Sequence, residues 1–166
     1  MSVALPDAEQ VYTDLRAHLK HAVTAETVMI GIQTGGAWVA ERLHRDLGIA
    51  TPLGTLNISF YRDDYSSSGL HSNVRPSQIP FDVSGKRILL VDDVLYTGRT
   101  VRGAMNELFD YGRPDTIELV VLIDRGERQL PICAQFIGAT VSVPKGAKLD
   151  LRRDDAGRLS LHLEEK

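Results

Sequence analysis

The stretch that decides the fold is Lys86–Thr100, which reads KRILLVDDVLYTGRT. Its continuous apolar run, Ile88–Val91, predicts a strand that is buried on both faces, as in a parallel sheet. Thr97–Thr100 then leads into a helical pattern, and the free N–H groups and dipole of a helix start favour an anion such as phosphate. Asp92 and Asp93 lie between the two, and because carboxylates repel phosphate, we expect them to bind another part of the same ligand. Vicinal sugar hydroxyls fit this requirement, so the stretch predicts a pocket for a ribose that carries a 5-phosphate.

The composition is that of one globular domain. The chain has 166 residues, 43% hydrophobic and 25% charged, which is enough for a single core. A net charge of −3 does not indicate a nucleic-acid-binding surface, although a local basic patch is compatible with that total. Cys133 is the single cysteine, so an intrachain disulfide is excluded and a reducing, cytoplasmic location is expected. Since no apolar run has the length of a membrane span, we expect no membrane partner.

Helical and strand patterns alternate along the chain. Helices are predicted over residues 7–21, 38–47 and 100–111, and strands over 28–32, 53–60, 87–91, 116–123, 148–152 and 159–163. The last two strands form a predicted hairpin, while residues 61–80 form a long loop of the kind that is usually functional or disordered. This order predicts an α/β fold with a mainly parallel, twisted sheet flanked by helices, which binds its ligands beyond the carboxyl ends of the strands.

The motifs resemble one protein family. An apolar strand, two acids, a short spacer, Thr-Gly and a helix resemble the phosphoribosyl diphosphate binding motif of type I phosphoribosyltransferases. More narrowly, VDDVLYTGRTVR, YGRP and VLIDRGERQLPI resemble the pyrimidine operon attenuation proteins that are also uracil phosphoribosyltransferases. YRDD at Tyr61–Asp64 and the GIQTGG turn match other landmarks of that family. The resemblance covers about Val28–Pro144, and it implies the type I fold with a small hood and a single domain over residues 1–166.

The resemblance also implies roles for individual residues. Catalysis would involve Asp92, Asp93 and Arg62, and the ribose 5-phosphate would be held by Asp92, Asp93, Thr97, Gly98, Arg99 and Thr100. The diphosphate would be bound by Thr34, Gly35, Gly36 and Arg128, and the base would lie against Tyr96, Arg125 and Gly126. Residues 61–80 would form a flexible active-site loop, and residues 125–144 a hood over the base. Mg²⁺ is the implied cofactor, with Asp124 as a candidate ligand, although an acid that caps the strand end and pairs with Arg125 or Arg128 explains Asp124 equally well.

Two positions bear on activity and substrate. In the hypoxanthine–guanine branch the position of Tyr96 is an aspartate that binds the purine ring, and a tyrosine is not a carboxylate near pH 7, so a purine is disfavoured. Gly35 stands where the family usually has an arginine. A guanidinium bond to phosphate contributes about 1.5–3 kcal/mol. We therefore expect weaker diphosphate binding unless Arg62, Arg75 or Arg128 compensates.

The expected ligands are phosphoribosyl diphosphate, uracil and UMP, and the expected reaction yields UMP and diphosphate. One alternative is a catalytically weak, UMP-sensing attenuator that binds leader RNA, and another is a phosphoribosyltransferase for a different base. Glu127 and Cys133 replace a histidine and an arginine of the family's usual hood sequence, which disfavours the RNA-binding alternative. The family forms homodimers or larger homo-oligomers, and we expect the same here.

Overall fold

The computed structural model describes residues 3–58 and 76–165, and a five-stranded parallel sheet forms the centre of this part of the chain. Its strands are β1 (Val28–Ile32), β2 (Gly54–Leu56), β3 (Arg87–Leu95), β4 (Thr116–Asp124) and β5 (Phe136–Thr140), in the order β2–β1–β3–β4–β5. The helices are α1 (Ala8–Leu19), α2 (Gly35–Asp46) and α3 (Arg99–Tyr111), and β6 (Lys148–Arg153) pairs with β7 (Leu159–Glu164) in an antiparallel hairpin. The predicted fold class is therefore confirmed.

The sheet divides the core into two apolar layers. On one face α1, α2 and the C-terminal hairpin cover the sheet, and Leu15, Leu43 and Leu151 belong to this layer. On the other face α3 covers the sheet with Val101 and Leu108. Because β1 and the first half of β3 are buried, Val28–Ile32 and Ile88–Val91 read as unbroken apolar runs in the sequence.

The bounds of several elements differ from the prediction. β3 continues past Val91 to Leu95, so the two acids belong to the strand instead of following it. α2 begins at Gly35, three residues earlier than predicted, since two glycines can start a helix that packs closely on a strand. The predicted strand over 53–60 is regular only at Gly54–Leu56, and its last two residues lie outside the described part.

The expected hood, residues 125–144, contains two kinds of structure. Its first part has no helix or strand, but Phe136–Thr140 is β5, the edge strand that pairs with β4. The sequence does not predict this strand, because its apolar run Phe136–Ala139 is short, only partly buried and interrupted by a glycine. The structure describes the expected loop over 61–80 only from residue 76, so Arg62 and Arg75 lie outside it.

Candidate active site

The two acids lie near the carboxyl end of the central strand, beside the start of α2. Asp92 is 5% exposed, and its Oδ1 accepts a hydrogen bond of 2.9 Å from the backbone N–H of Asp93. Asp93 is partly exposed, and its Oδ1 accepts from the N–H of Val94 at 2.8 Å. Each carboxylate is thus oriented by the backbone of its own strand, which holds it in place before any ligand arrives.

The connection from β3 to α3 has the form of an anion site. Gly98 is the N-cap residue of α3 and adopts φ of 93°, a left-handed conformation that favours glycine. A glycine N-cap brings no side-chain acceptor, so the first-turn N–H groups that follow Arg99 keep the capacity to bind an anion. Thr97 is buried, and its Oγ1 accepts a hydrogen bond of 3.2 Å from the N–H of Arg99. The guanidinium of Arg99 is in turn held by Gln129, whose Oε1 accepts from Nε at 2.9 Å.

The start of α2 lies directly against the two acids. A Cβ atom at Gly36 would lie 2.7 Å from the carbonyl oxygen of Val91 and 2.9 Å from the Cα of Asp92, so only a glycine allows this approach. A Cβ atom at Gly35 would instead meet the carboxylate of Asp93. Thr34 is the N-cap of α2 and makes no side-chain capping bond with the described residues. Two of the four residues predicted to bind the diphosphate, Gly35 and Gly36, are therefore adjacent to the predicted ribose-binding acids, and Thr34 directly precedes them.

Arg128 is held by three contacts within the chain. Its Nη2 donates to Asp124 Oδ2 at 2.6 Å, Nη1 donates to the carbonyl of Tyr96 at 2.7 Å, and Nε donates to the carbonyl of Ile132 at 3.0 Å. One guanidinium thus joins the ends of β3 and β4 to the following loop. These contacts engage one donor on each nitrogen of the guanidinium, and that Arg128 also binds the diphosphate stays a prediction.

Asp124 is likewise a structural residue here. Its Oδ1 accepts from the N–H of Gly126 at 2.9 Å, while Oδ2 pairs with Arg128. Both oxygens are engaged and the side chain is 14% exposed, which is the arrangement of the capping alternative, while the role of Asp124 as a metal ligand stays a prediction.

The residues predicted to contact the base form a stack. The guanidinium of Arg125 lies 3.9 Å from the centroid of the Tyr96 ring, and Nη1 and Nη2 donate to the carbonyl of Ala147 and the carboxylate of Glu127. Glu127 adopts φ of 59° and follows Gly126, whose φ is 74°, so this turn folds the acid back onto Arg125. The structure therefore places a neutralised, stacked arginine at the end of β4.

The sequence is matched by one family model. The model of the phosphoribosyl transferase domain covers residues 6–147. The chain belongs to the phosphoribosyltransferase family. Relatives named "Bifunctional protein PyrR" are similar over most of this phosphoribosyltransferase. The one from Pseudomonas putida (strain W619) is 52% identical over 142 residues, covering 86% of this chain and 83% of the relative. The one from Pseudomonas aeruginosa (strain LESB58) is 50% identical over 154 residues, covering 93% and 88%.

Solved structures share the fold at low identity. A hypoxanthine phosphoribosyltransferase from Staphylococcus aureus superposes with a TM-score of 0.63 at 20% identity, covering 85% of this phosphoribosyltransferase and 78% of that chain. A hypoxanthine-guanine phosphoribosyltransferase from Bacillus anthracis gives a TM-score of 0.65 at 18% identity, covering 85% and 86%. These likenesses establish the fold alone. The family model and the PyrR relatives confirm the resemblance to uracil phosphoribosyltransferases of the pyrimidine operon that the motifs predict.

The residues of this phosphoribosyltransferase fit a magnesium ion that arrives with its substrate. Within residues 3–58 and 76–165, no three His, Cys, Asp or Glu side chains form a group that could hold a metal. Mg²⁺ keeps several waters and typically takes one or two carboxylates together with substrate phosphates. Asp92 and Asp93 supply that number of carboxylates next to the start of α2.

Two side-chain contacts in this phosphoribosyltransferase could not be predicted from the sequence. Gln129 orients Arg99 from 30 residues away, and its own N–H donates to the carbonyl of Thr97 at 2.9 Å. Glu127 pairs with Arg125 only because the backbone between them turns into the left-handed region. No spacing in the sequence signals either contact. Among the described residues, no helix is both long and apolar enough to cross a bilayer.

Proposed function

We propose that this phosphoribosyltransferase transfers the phosphoribosyl group of phosphoribosyl diphosphate to uracil, giving UMP and diphosphate. The observation that carries the proposal is the juxtaposition on β3: two backbone-oriented acids lie six and seven residues before Arg99, where α3 starts behind a glycine N-cap. The acids suit vicinal ribose hydroxyls, and the helix start suits a 5-phosphate. The glycine pair of α2 borders the same acids, where a diphosphate on C1 of the same ribose would extend.

The chain's own groups position and stabilise the reacting sugar. Cleavage at C1 leaves an oxocarbenium-like ribose, so the carboxylates of Asp92 and Asp93 hold the hydroxyls and offset positive charge on the ring. Thr97–Thr100 anchors the 5-phosphate through backbone N–H groups, while Arg99 adds an oriented positive charge. Bound Mg²⁺ would neutralise charge on the leaving diphosphate.

The base assignment is supported by Tyr96 together with the identity to the PyrR relatives. Tyr96 is stacked on Arg125 and carries no carboxylate, so the site has no acid at the position that binds the purine ring in the hypoxanthine–guanine branch. Smaller pyrimidine bases present carbonyl and N–H groups that a backbone can bind. We therefore assign uracil in preference to hypoxanthine or orotate.

The experiment is turnover of labelled uracil with phosphoribosyl diphosphate, with and without Mg²⁺, followed by hypoxanthine and orotate in the same assay. Thr100→Val removes a hydroxyl at the 5-phosphate site and should raise KM for phosphoribosyl diphosphate about tenfold. Thr116→Val makes the same change on an exposed residue at the other end of the sheet and should leave KM unchanged. Turnover of hypoxanthine but not uracil would refute the base assignment.

Regulation by RNA is a second candidate, favoured by the relatives' description as bifunctional. Several basic residues in and near the C-terminal hairpin could face RNA, yet most form salt bridges with acids of the chain. The salt bridges join Lys148 to Asp150, Arg152 to Glu164, and Arg153 to Glu41. We propose that any RNA binding is UMP-dependent and strongly weakened by salt. Gel-shift titration with a pyrimidine operon leader RNA, with and without UMP, tests this; binding indifferent to UMP would argue against it.

Self-association is also part of the proposal. Phe109 and Tyr111, at the C-terminal end of α3, are 57% and 45% exposed and are the large hydrophobic residues that the described surface leaves most open. An exposed aromatic pair of this kind suits a contact between copies. Light scattering coupled to size-exclusion chromatography should give a dimer or larger, and a monomer at high concentration would contradict this expectation.

A further inference from the structure

An open pocket rich in arginine lies away from the candidate active site. It has a volume of about 460 Å³ and is formed where α2, the first turn of α1 and the turn of the C-terminal hairpin meet. We call it the arginine pocket; its lining consists of Glu9, Glu41, Arg42, Arg45, Arg153, Ala156, Gly157 and Arg158. Four guanidinium groups face two carboxylates, so the lining carries a net charge of about +2 near pH 7.

Two of the four arginines already form ion pairs with acids of the protein. Arg42 donates to both oxygens of Glu9 at 2.8 and 2.9 Å, and the N–H of Leu159 donates to Oε1 of the same carboxylate at 2.6 Å. The hydrogen bonds from Arg42 lower the pKa of Glu9 below its usual value, so this acid stays charged and saturated. Arg153 donates to Glu41 at 3.0 Å and lies 4.9 Å from the centroid of the Trp38 ring.

The other two arginines retain donors for a ligand. Arg158 makes no side-chain hydrogen bond or ion pair with residues 3–58 or 76–165, and its backbone N–H is held by Asp154 at 2.8 Å. Arg45 uses only Nε, which donates to Asp46 at 3.1 Å, and is 71% exposed. These two guanidinium groups come from α2 and from the hairpin turn, so an anion between them would join both elements.

We propose that the arginine pocket binds the phosphate group of a small phosphorylated molecule of about nucleotide size. The charge of a phosphate monoester, about −1.5 to −2 near pH 7, matches the net charge of the lining. The volume lies in the range of pockets that hold small ligands. Guanidinium groups bind phosphate through paired, charge-assisted hydrogen bonds, and Arg45 and Arg158 supply the unused donors.

This site is distinct from the proposed active site. α2 begins at Gly35 beside Asp93, whereas the residues that line the arginine pocket occupy its later turns, Glu41–Arg45. None of the pocket residues has a role in the proposed transfer reaction. The inference therefore does not depend on the proposed function, and a chain without uracil turnover could still bind phosphate here.

The test is an NMR titration of the full-length chain with inorganic phosphate, observed at the arginine side-chain Nε–Hε signals. The signals of Arg45 and Arg158 should shift together and saturate with one midpoint. Arg158→Ala should raise the midpoint of the Arg45 signal about tenfold, since one charge-assisted bond is lost. The matched control is Arg152→Ala, on a neighbouring strand and outside the pocket, which should leave that midpoint unchanged.

The outcomes separate the alternatives. If the Arg45 midpoint is the same in wild type and Arg158→Ala, or rises equally in Arg152→Ala, the proposal is wrong. Backbone spectra of each variant verify the fold, and Arg45→Ala, read at the Arg158 signal, gives a reciprocal test. A second arm uses a short single-stranded RNA: shifts with RNA but none with phosphate would overturn the small-ligand proposal. Uracil turnover by Arg158→Ala should equal that of wild type, which keeps this result separate from the test of the active site.

Discussion

The close approach of α2 to β3 predicts that Gly36→Ala destabilises the protein while Gly35→Ala does not. A methyl group at Gly36 would lie 2.7 Å from the carbonyl oxygen of Val91, in the backbone of the central strand, which is bonded on both sides to β1 and β4. That backbone cannot withdraw without disturbing the sheet, and overpacking of this kind costs about 1–3 kcal/mol. At Gly35 the nearest atoms belong to the carboxylate of Asp93, the end of a side chain that can turn away by giving up its hydrogen bond from the N–H of Val94.

The two substitutions form a matched pair. Each lies in the first turn of the same helix and replaces glycine by alanine, so each gains a similar benefit of about 0.5–1 kcal/mol from reduced chain entropy and better helix propensity. The difference between them therefore isolates the steric cost. We expect Gly36→Ala to be less stable than Gly35→Ala by about 1–3 kcal/mol in urea unfolding, with equal m-values. Equal stability within about 0.5 kcal/mol would refute the close-packing argument.

Three further predictions concern Asp93, the contacts of Arg128 and the ion pair between Glu9 and Arg42. Asp93→Asn should weaken phosphoribosyl diphosphate binding in calorimetry without lowering the urea midpoint; unchanged affinity would contradict its assignment to the ribose. Arg128→Ala should lower the free energy of unfolding by about 2–3 kcal/mol, because Asp124 and two carbonyls lose their donor. A loss below about 0.5 kcal/mol would show that these contacts do not stabilise the fold. The pKa of Glu9 is held below 4.5 by Arg42, so its contribution to stability is present above pH 4.5 and is lost as the pH falls further. Unfolding free energies at pH 6 and pH 3.5 should therefore differ less in Glu9→Gln than in wild type, and an equal difference would argue against this linkage.

The sequence was most informative where one interaction dominates. The apolar run Ile88–Val91 could only be a buried strand, and the alternation of strands and helices led to the parallel sheet. The end of β3 was placed too early because Asp92 and Asp93 look like loop residues, whereas their carboxylates bond to the strand's own backbone. The sequence does not predict β5, because an edge strand that is partly buried on both faces shows no alternation of apolar and polar residues.

Side-chain roles were harder to foresee than elements. The resemblance implies that Arg128 binds the diphosphate, but the sequence does not show that the acid four residues before it and two carbonyls of neighbouring loops also bind it. Such competition between internal and external partners depends on distances that only the folded chain supplies. The arginine pocket shows the same limit, since Arg45 and Arg158 are 113 positions apart in sequence.

The packing of α1 has a consequence for synthesis of the protein on the ribosome. Leu15 and Leu19 of this first helix belong to the same buried layer as Leu149 and Leu159 of the hairpin, and Glu9 accepts the N–H of Leu159. Helix α1 thus shares its apolar layer with strands that are made more than a hundred residues later. We expect a nascent chain that stops before the hairpin to expose this apolar face and to recruit chaperones, and synthesis of the hairpin to be the event that closes this layer.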